Sequence, residues 1–252
     1  MTIDKPRAEQ VPVLRQLWKQ AFGDSEKFLD GFFAAGFSED RCRCLMLDGT
    51  LCAALYWFDC RWQEKRLAYL YAVATDEKYR GQGLCRALME DTHCHLQQLG
   101  YHGAALVPGN KQLFALYEKL GYRPFCPMQT VTVQPGDFPA AIRPIAPDCY
   151  EALRQDFLPS SSILQTGDTL DFFATYGQFF TGSGTLFCVA TEADTLYFQE
   201  FLGDAAQLPG ILSALKAKKG IVRLPGTDTP FAMYRSLTAD NAIPSYLGIA
   251  LN

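Results

Sequence analysis

Along the first half of the chain, stretches of two-residue alternation and short apolar runs are separated by segments whose apolar residues recur at three- and four-residue spacing. Residues 11–22 (VPVLRQLWKQAF) and 25–36 (SEKFLDGFFAAG) read as two helices, with Asp24 or Ser25 as the cap between them. Phe28, Leu29, Phe32 and Phe33 make an apolar face on the second. Residues 41–59 alternate on both sides of Asp48-Gly49, a two-residue hairpin signal. A third strand, RLAYLYAVAT, then runs through a short polar link into Arg80-Gly81-Gln82-Gly83, and LCRALMEDTHCHLQQLG continues at helical spacing. After it come a short apolar strand closed by Pro108-Gly109 and a helix capped by Asn110 and stopped by Gly121.

The second half repeats the first. Shifting the chain by 117 residues lays residues 103–117 (GAALVPGNKQLFALY) on residues 220–234 (GIVRLPGTDTPFAMY) without a gap, so that Tyr234 falls on Tyr117. Weaker echoes are LDGFFAAG from Leu29 beside LDFFATYG from Leu170, and AIRPIAPDCYEALR from Ala141, which has the look of an opening strand and helix. A repeat of this size implies two copies of one architecture. Pro and Gly concentrate in residues 134–140, the expected linker, which divides the chain into domains at 1–135 and 136–252.

Strand, glycine turn, helix is the arrangement that receives a phosphate. Glycines let a ligand approach the backbone, and the first amides of a helix have no partner inside it. A dinucleotide fingerprint needs a small residue where Arg86 stands, and no Gly-Lys-Ser/Thr follows for a nucleotide P-loop. The net charge of -4 and the absence of a basic track argue against nucleic acid as the main partner. No signal peptide or membrane-length apolar run is visible, which makes a cytoplasmic protein the expectation. Nine cysteines lie without a CxxC pair; Cys42 and Cys44 share a strand face and read as buried thiols rather than a metal or disulfide site. No metal spacing and no serine or cysteine triad is present, and His93, His95 and His102 read as solvated or capping residues.

Arg80, Gly83 and Cys85 fit R-x-x-G-x-G/A, and this stretch resembles the pyrophosphate loop of the GNAT acetyltransferase superfamily, with Cys85 in place of the usual Gly or Ala. The helix with Tyr117 followed by Leu120-Gly121-Tyr122 resembles the same family's second signature. The resemblance implies an α/β (α+β) fold: a mixed, mostly antiparallel sheet flanked by helices, here duplicated as two GNAT-like halves. It implies acetyl-CoA as co-substrate and no metal. The pantetheine arm would lie along Ala72, Val73, Ala74 and Thr75, and Arg80 with the backbone of Gly81, Gln82, Gly83, Leu84, Cys85 and Arg86 would hold the pyrophosphate. Asn110 joins the coenzyme contacts, and Tyr117 would protonate the departing thiolate. Pro108, which cannot donate to a ladder, sits where the family parts two strands to free a backbone edge.

The family often places a Glu as base on the strand before the loop, but that position is Leu67 here; Glu64, Tyr69 and Tyr71 are nearby alternatives. In the family the segment joining the first two helices walls the acceptor pocket, so Phe28 and its neighbours either touch substrate or pack the core. The second half lacks the loop motif and carries Asp204 there, so it is expected to bind no coenzyme and to complete the acceptor pocket. Tandem GNAT chains with a degenerate second copy resemble the enhanced intracellular survival acetyltransferases, and that likeness would make the Asn252 carboxylate a base. The leading function is N-acetyl transfer to a primary amine of a small molecule or peptide by direct attack in a ternary complex. The alternatives are a non-catalytic acyl-CoA binding or sensing protein and a tRNA-dependent aminoacyl transferase, the latter disfavoured by the intact loop and acidic balance. Membrane association is not expected, and homo-oligomer formation stays open.

Overall fold

Asp48 and Gly49 both take positive φ, 48° and 83°, the backbone of a tight two-residue turn. The strands on either side pair through it, from Leu47 with Thr50 to Cys42 with Tyr56. This hairpin belongs to a computed structural model that describes residues 1–227 and 229–251. In chain order the elements are β1 (Thr2–Asp4), α1 (Val11–Phe22), α2 (Glu26–Gly31), β2 (Cys42–Leu47), β3 (Thr50–Trp62), β4 (Lys65–Thr75), α3 (Leu84–Gln98), β5 (Gly103–Leu106), α4 (Lys111–Glu118) and β6 (Arg123–Phe125). There follow β7 (Met128–Val133), β8 (Ile142–Ile145), α5 (Pro147–Phe157), β9 (Leu164–Gln165), α6 (Asp168–Ala174), β10 (Gly177–Gly182), β11 (Thr185–Glu192), β12 (Thr195–Leu202), α7 (Leu208–Ala214), β13 (Lys219–Pro225) and β14 (Ala232–Ser236). The caps fall where the sequence puts them: Ser25 accepts from the Phe28 N–H at 3.2 Å, and Asn110 from Gln112 and Leu113 at 3.0 and 3.2 Å.

The chain forms two compact units, and neither is continuous in sequence: one holds residues 1–123 and 233–243, the other residues 124–232 and the segment from Pro244. In the first unit the strand order is β1-β2-β3-β4-β5-β14, with β4 parallel to β5 and β14 antiparallel to it. In the second it is β7-β13-β12-β11-β10-β8, with β12 parallel to β13 and β7 antiparallel to it. Each sheet therefore takes the strand beyond its parallel pair from the other half of the sequence. The cut expected at 135/136 falls inside the second unit, where Gly136 and Ala140 donate to the carbonyls of Pro209 and Gly210 at 3.0 and 2.9 Å.

Two mainly antiparallel sheets flanked by helices are what the duplicated pattern implied. β5 and β13 hold the same place in their sheets; Pro108-Gly109 comes shortly after β5, and Pro225-Gly226 stands at the end of β13. Beyond those turns the gapless alignment stops having structural meaning, because residues 111–118 are a helix while 232–236 are a strand. Tyr234 is thus no helical counterpart of Tyr117. It is a buried strand residue of the first sheet, edge-on to Trp62 at 5.8 Å.

Tyr234 also explains one glycine. A Cβ on Gly103 would lie 2.4 Å from the Tyr234 hydroxyl oxygen, so the ring occupies the space that any larger residue needs. The core cluster of the first unit includes Leu45, Ala53, Leu55, Trp57, Ala68, Leu88 and Leu96, all at 1% exposure or less. The second unit buries a charge pair: Arg154 donates to both oxygens of Glu200 at 2.6 and 2.8 Å, and the Tyr150 hydroxyl adds a bond at 2.6 Å. Breaking such a pair leaves an uncompensated charge. Gly103→Ala is expected to lower stability by roughly 1–3 kcal/mol through overpacking, read as a drop in thermal midpoint, and Tyr234→Leu in the same chain is expected to recover part of the loss.

Candidate functional site

The site begins with a strand that stops pairing. β4 meets β5 only at Leu67, Ala68 and Tyr69, opposite Gly103, Ala104 and Ala105. On its other side β4 stays with β3, but Tyr71 faces Tyr56 while Ala74 faces Ala54, so two residues, Ala72 and Val73, oppose the single Leu55. This is a β-bulge, and Ala72 has φ 48° within it. A non-glycine residue held there costs roughly 1–3 kcal/mol and marks a position that the surroundings impose. Its effect is a stretch, Ala72 to Thr75, whose β5-facing edge has no strand partner among the described residues.

That edge leads directly into the glycine turn. Asp76 caps a short 3-10 turn, Glu77–Tyr79, by accepting from the Lys78 N–H at 2.9 Å. Arg80 Nε donates to the Thr75 carbonyl at 3.1 Å, which anchors the guanidinium beside the strand end while the residue stays exposed. Gly81 and Gly83 have φ 77° and 78°, and a Cβ built on either meets nothing within 4 Å, so the space over the turn is open. The helical ladder of α3 starts with the Ala87 N–H on the Gly83 carbonyl at 3.0 Å, and no side chain caps the helix. The amides of Leu84, Cys85 and Arg86 therefore precede the ladder and carry the positive end of a 15-residue helix dipole. A diphosphate fits this cradle in charge, in donors and in room.

Tyr117 lies on α4, 6% exposed, with its ring edge-on to Tyr122 at 5.8 Å. Its hydroxyl has no hydrogen-bond partner among the described residues. Burial, with the nearby Cys85 thiol adding, holds its pKa well above the usual tyrosine value, so it stays protonated through the neutral range. A protonated phenol without a partner can donate a proton and cannot act as a base. Cys85 sits at the second position of α3, its own pKa raised by burial, and brings the turn helix and Tyr117 together. Asn110 spends its side-chain oxygen on capping α4.

The aromatic residues sort into two groups. Leu29 and Phe32 are core at 1% exposure, whereas Phe28, Phe33 and Tyr71 are half-buried. Tyr71 sits at the bulge, in ring contact with Trp18 at 5.4 Å, Phe58 at 5.7 Å and Phe32 at 5.9 Å. Tyr69 is buried, Leu67 is fully buried, and Glu64 is exposed in the turn between β3 and β4. Asn252 lies outside the described residues. Cys42 and Cys44 are buried free thiols 3.9 Å apart. His93 corrects the expectation of a solvated or capping residue: it is 4% exposed, 2.7 Å from the Tyr122 hydroxyl through Nε2. Helical spacing put it on a different face from His95, but only the position of Tyr122 shows which face is inside.

The second unit keeps the bulge and loses the turn. Gln199 is the extra residue of β12, between Cys188 opposite Glu200 and Val189 opposite Phe198. Asp204 caps a 3-10 turn, Ala205–Gln207, as Asp76 does in the first unit, but α7 begins at the next residue with Pro209 in its first turn. There is no glycine turn, and a helical amide is missing. Arg223 donates to Gln199 where β12 and β13 separate.

Residues 2–125 match the family model of the acetyltransferase (GNAT) domain. No curated protein matches the chain. Among solved structures, a GCN5-related N-acetyltransferase from Kribbella flavida is similar with a TM-score of 0.73 at 15% identity, over 93% of this chain and 70% of that one. A GCN5-related N-acetyltransferase from Anabaena variabilis has a TM-score of 0.70 at 15% identity, over 94% and 73%. Eis1 from Mycobacterium abscessus has 0.67 at 10% identity, over 94% and 74%. At these identities the likeness is one of fold.

Burial, with the Arg235 charge adding, holds the His93 pKa down at about 3. Below the unfolded value near 6.5 the unfolded chain takes up a proton that the folded chain refuses. Stability attributable to this residue is therefore expected to fall by roughly 1.4 kcal/mol per pH step between about 6.5 and 3. Urea midpoints at pH 7 and 5 check it: the decrease should be smaller in His93→Gln than in the wild type.

Proposed function

This chain belongs to the GNAT acetyltransferase superfamily, and we propose that it moves an acetyl group from acetyl-CoA to a primary amine of a small molecule or peptide, by direct attack in a ternary complex. The observation that carries the reading is the continuity of an unpaired, bulged strand end with an open glycine turn at a helix N-terminus. Backbone groups of Ala72, Val73, Ala74 and Thr75 pair with the pantetheine amides, and Arg80 with the amides from Gly81 to Arg86 holds the pyrophosphate. The coenzyme supplies an activated acyl thioester when bound. The chain's own part is to fix that thioester beside an amine, for which orientation is the largest contribution available.

Tyr117 acts as the general acid toward the departing sulfur, and its raised pKa keeps the proton available at neutral pH. The half-buried Tyr71, Phe28 and Phe33 give the acceptor an apolar wall. A buried leucine at position 67 leaves no carboxylate on β4 to receive the amine proton, so water takes that proton as the amide forms. The same leucine favours a second reading, a chain that binds acyl-CoA and senses it without turnover. The second unit takes no coenzyme, because the cradle is missing there.

Gly83→Val places a β-branched residue at positive φ and is expected to weaken CoA binding by at least about tenfold, measured by calorimetry; unchanged affinity would show that the turn holds something else. Wild-type titration should give one CoA per chain, and two would restore a site to the second unit. Thiol release from acetyl-CoA across an amine library should drop by about 10²–10⁴-fold in Tyr117→Phe with CoA affinity kept. Binding without release on any amine would favour the sensing alternative.

A further inference from the structure

The first unit holds a cavity of about 720 Å³ that plays no part in the site above. Glu90, His93 and Gln97 line it from one face of α3, Lys119 from the end of α4, and Arg235 and Ser236 from β14. His93 is nine residues beyond the start of α3, about 14 Å along the axis from the glycine turn. The cavity is therefore at the opposite end of the helix.

Its charges are unbalanced. Glu90, the acid of the lining, is already paired with Arg86 at 2.8 Å. Arg235 is half-buried and donates to the Leu120 carbonyl, and neither it nor Lys119 has a carboxylate partner among the described residues. A half-buried guanidinium without a counter-ion, facing a cavity, is poised for an anion. A second observation points the same way. His93 Nδ1 is fully buried and has no hydrogen-bond partner, while Nε2 is bonded to the Tyr122 hydroxyl. A polar atom left in that condition has lost its hydration without gaining a bond, a loss that a ligand bonding to it restores.

We propose that this cavity is a binding site for a small oxyanion, the carboxylate or phosphate group of a metabolite, held by Arg235, Lys119 and a hydrogen bond from His93 Nδ1–H. The imidazole is neutral in its buried setting, so one nitrogen donates and the other accepts. With Nδ1–H given to the anion, Nε2 accepts from the Tyr122 hydroxyl, and both ring nitrogens are satisfied. Tyr122 in turn packs edge-on against Tyr117, so His93 and Tyr122 stand between the bound anion and that ring. The binding inference uses no part of the acetyltransferase reading.

The test is long-range ¹H–¹⁵N NMR of the protein labelled at histidine, titrated separately with succinate and inorganic phosphate, with succinamide as the uncharged control. The chain has three histidines, so His95→Gln and His102→Gln assign the remaining signal. The expected result is a saturable shift of His93 Nδ1 to the protonated, hydrogen-bonded position with at least one of the anions and none with succinamide. Arg235→Gln should weaken the interaction by about tenfold or more. Should that variant fold poorly, Lys119→Gln, at an exposed position, should still weaken it measurably. A His93 signal unmoved by both anions, or equal affinity in Arg235→Gln or a well-folded Lys119→Gln, would overturn the proposal. Phosphate settling at the glycine turn instead would leave His93 Nδ1 unchanged, so failure here leaves the coenzyme reading intact.

Discussion

A backbone amide cannot serve a sheet ladder and a ligand at once, and the candidate site follows from that competition. β4 is bound to both neighbours near its start and to one near its end. The parting from β5 after Tyr69, with the bulge at Ala72 and Val73, turns sheet interior into an edge inside the fold. Buried polar backbone must find partners, so such an edge persists only where water or a ligand takes the missing strand's place. Everything else around it, from the Arg80 contact with the Thr75 carbonyl to the open glycine turn, extends the same unpaired line of donors toward the helix N-terminus.

The two units put this device beside its own loss. Both carry a bulge in the strand before the turn, and both cap a 3-10 turn with an aspartate. Only the first inserts four residues, Arg80 to Gly83, before its helix. In the second, the helix starts at once with Pro209 in its first turn, and Arg223 reaches Gln199 across the separation between β12 and β13. Loss of a short turn and gain of one side-chain bridge are enough to change a cradle into packing.

The burial of polar groups also differs in kind. In the second unit Arg154, Glu200 and Tyr150 satisfy one another, a closed network that fixes its surroundings. In the first, His93 is buried with one nitrogen bonded and the other not, beside a guanidinium lacking a carboxylate. A fully satisfied network reads as structure, and a half-satisfied one facing a cavity reads as a place for something else.

Local chemistry made a good part of this visible in the chain itself. The Asp48-Gly49 turn, the Ser25 and Asn110 caps, the glycine turn and the duplicated strand and helix pattern each depend on residues within a few positions of one another, and sequence alone determines such features. It also showed that Leu67 removes a carboxylate. What it could not show was partnership across distance. The gapless alignment lays 232–236 on the helix that carries Tyr117, and nothing local in Ala-Met-Tyr-Arg-Ser says that it is a strand or which sheet receives it, so the exchange of β7 and β14 between the two halves of the sequence, and with it the fate of Tyr234, was decided by tertiary pairing. The positive φ at Ala72 is likewise set by the two strands beside it, since alanine has no preference for it. Sequence points to a solvated or capping His93 because helix periodicity counts faces but does not name the inner one; Tyr122, 29 residues away, does.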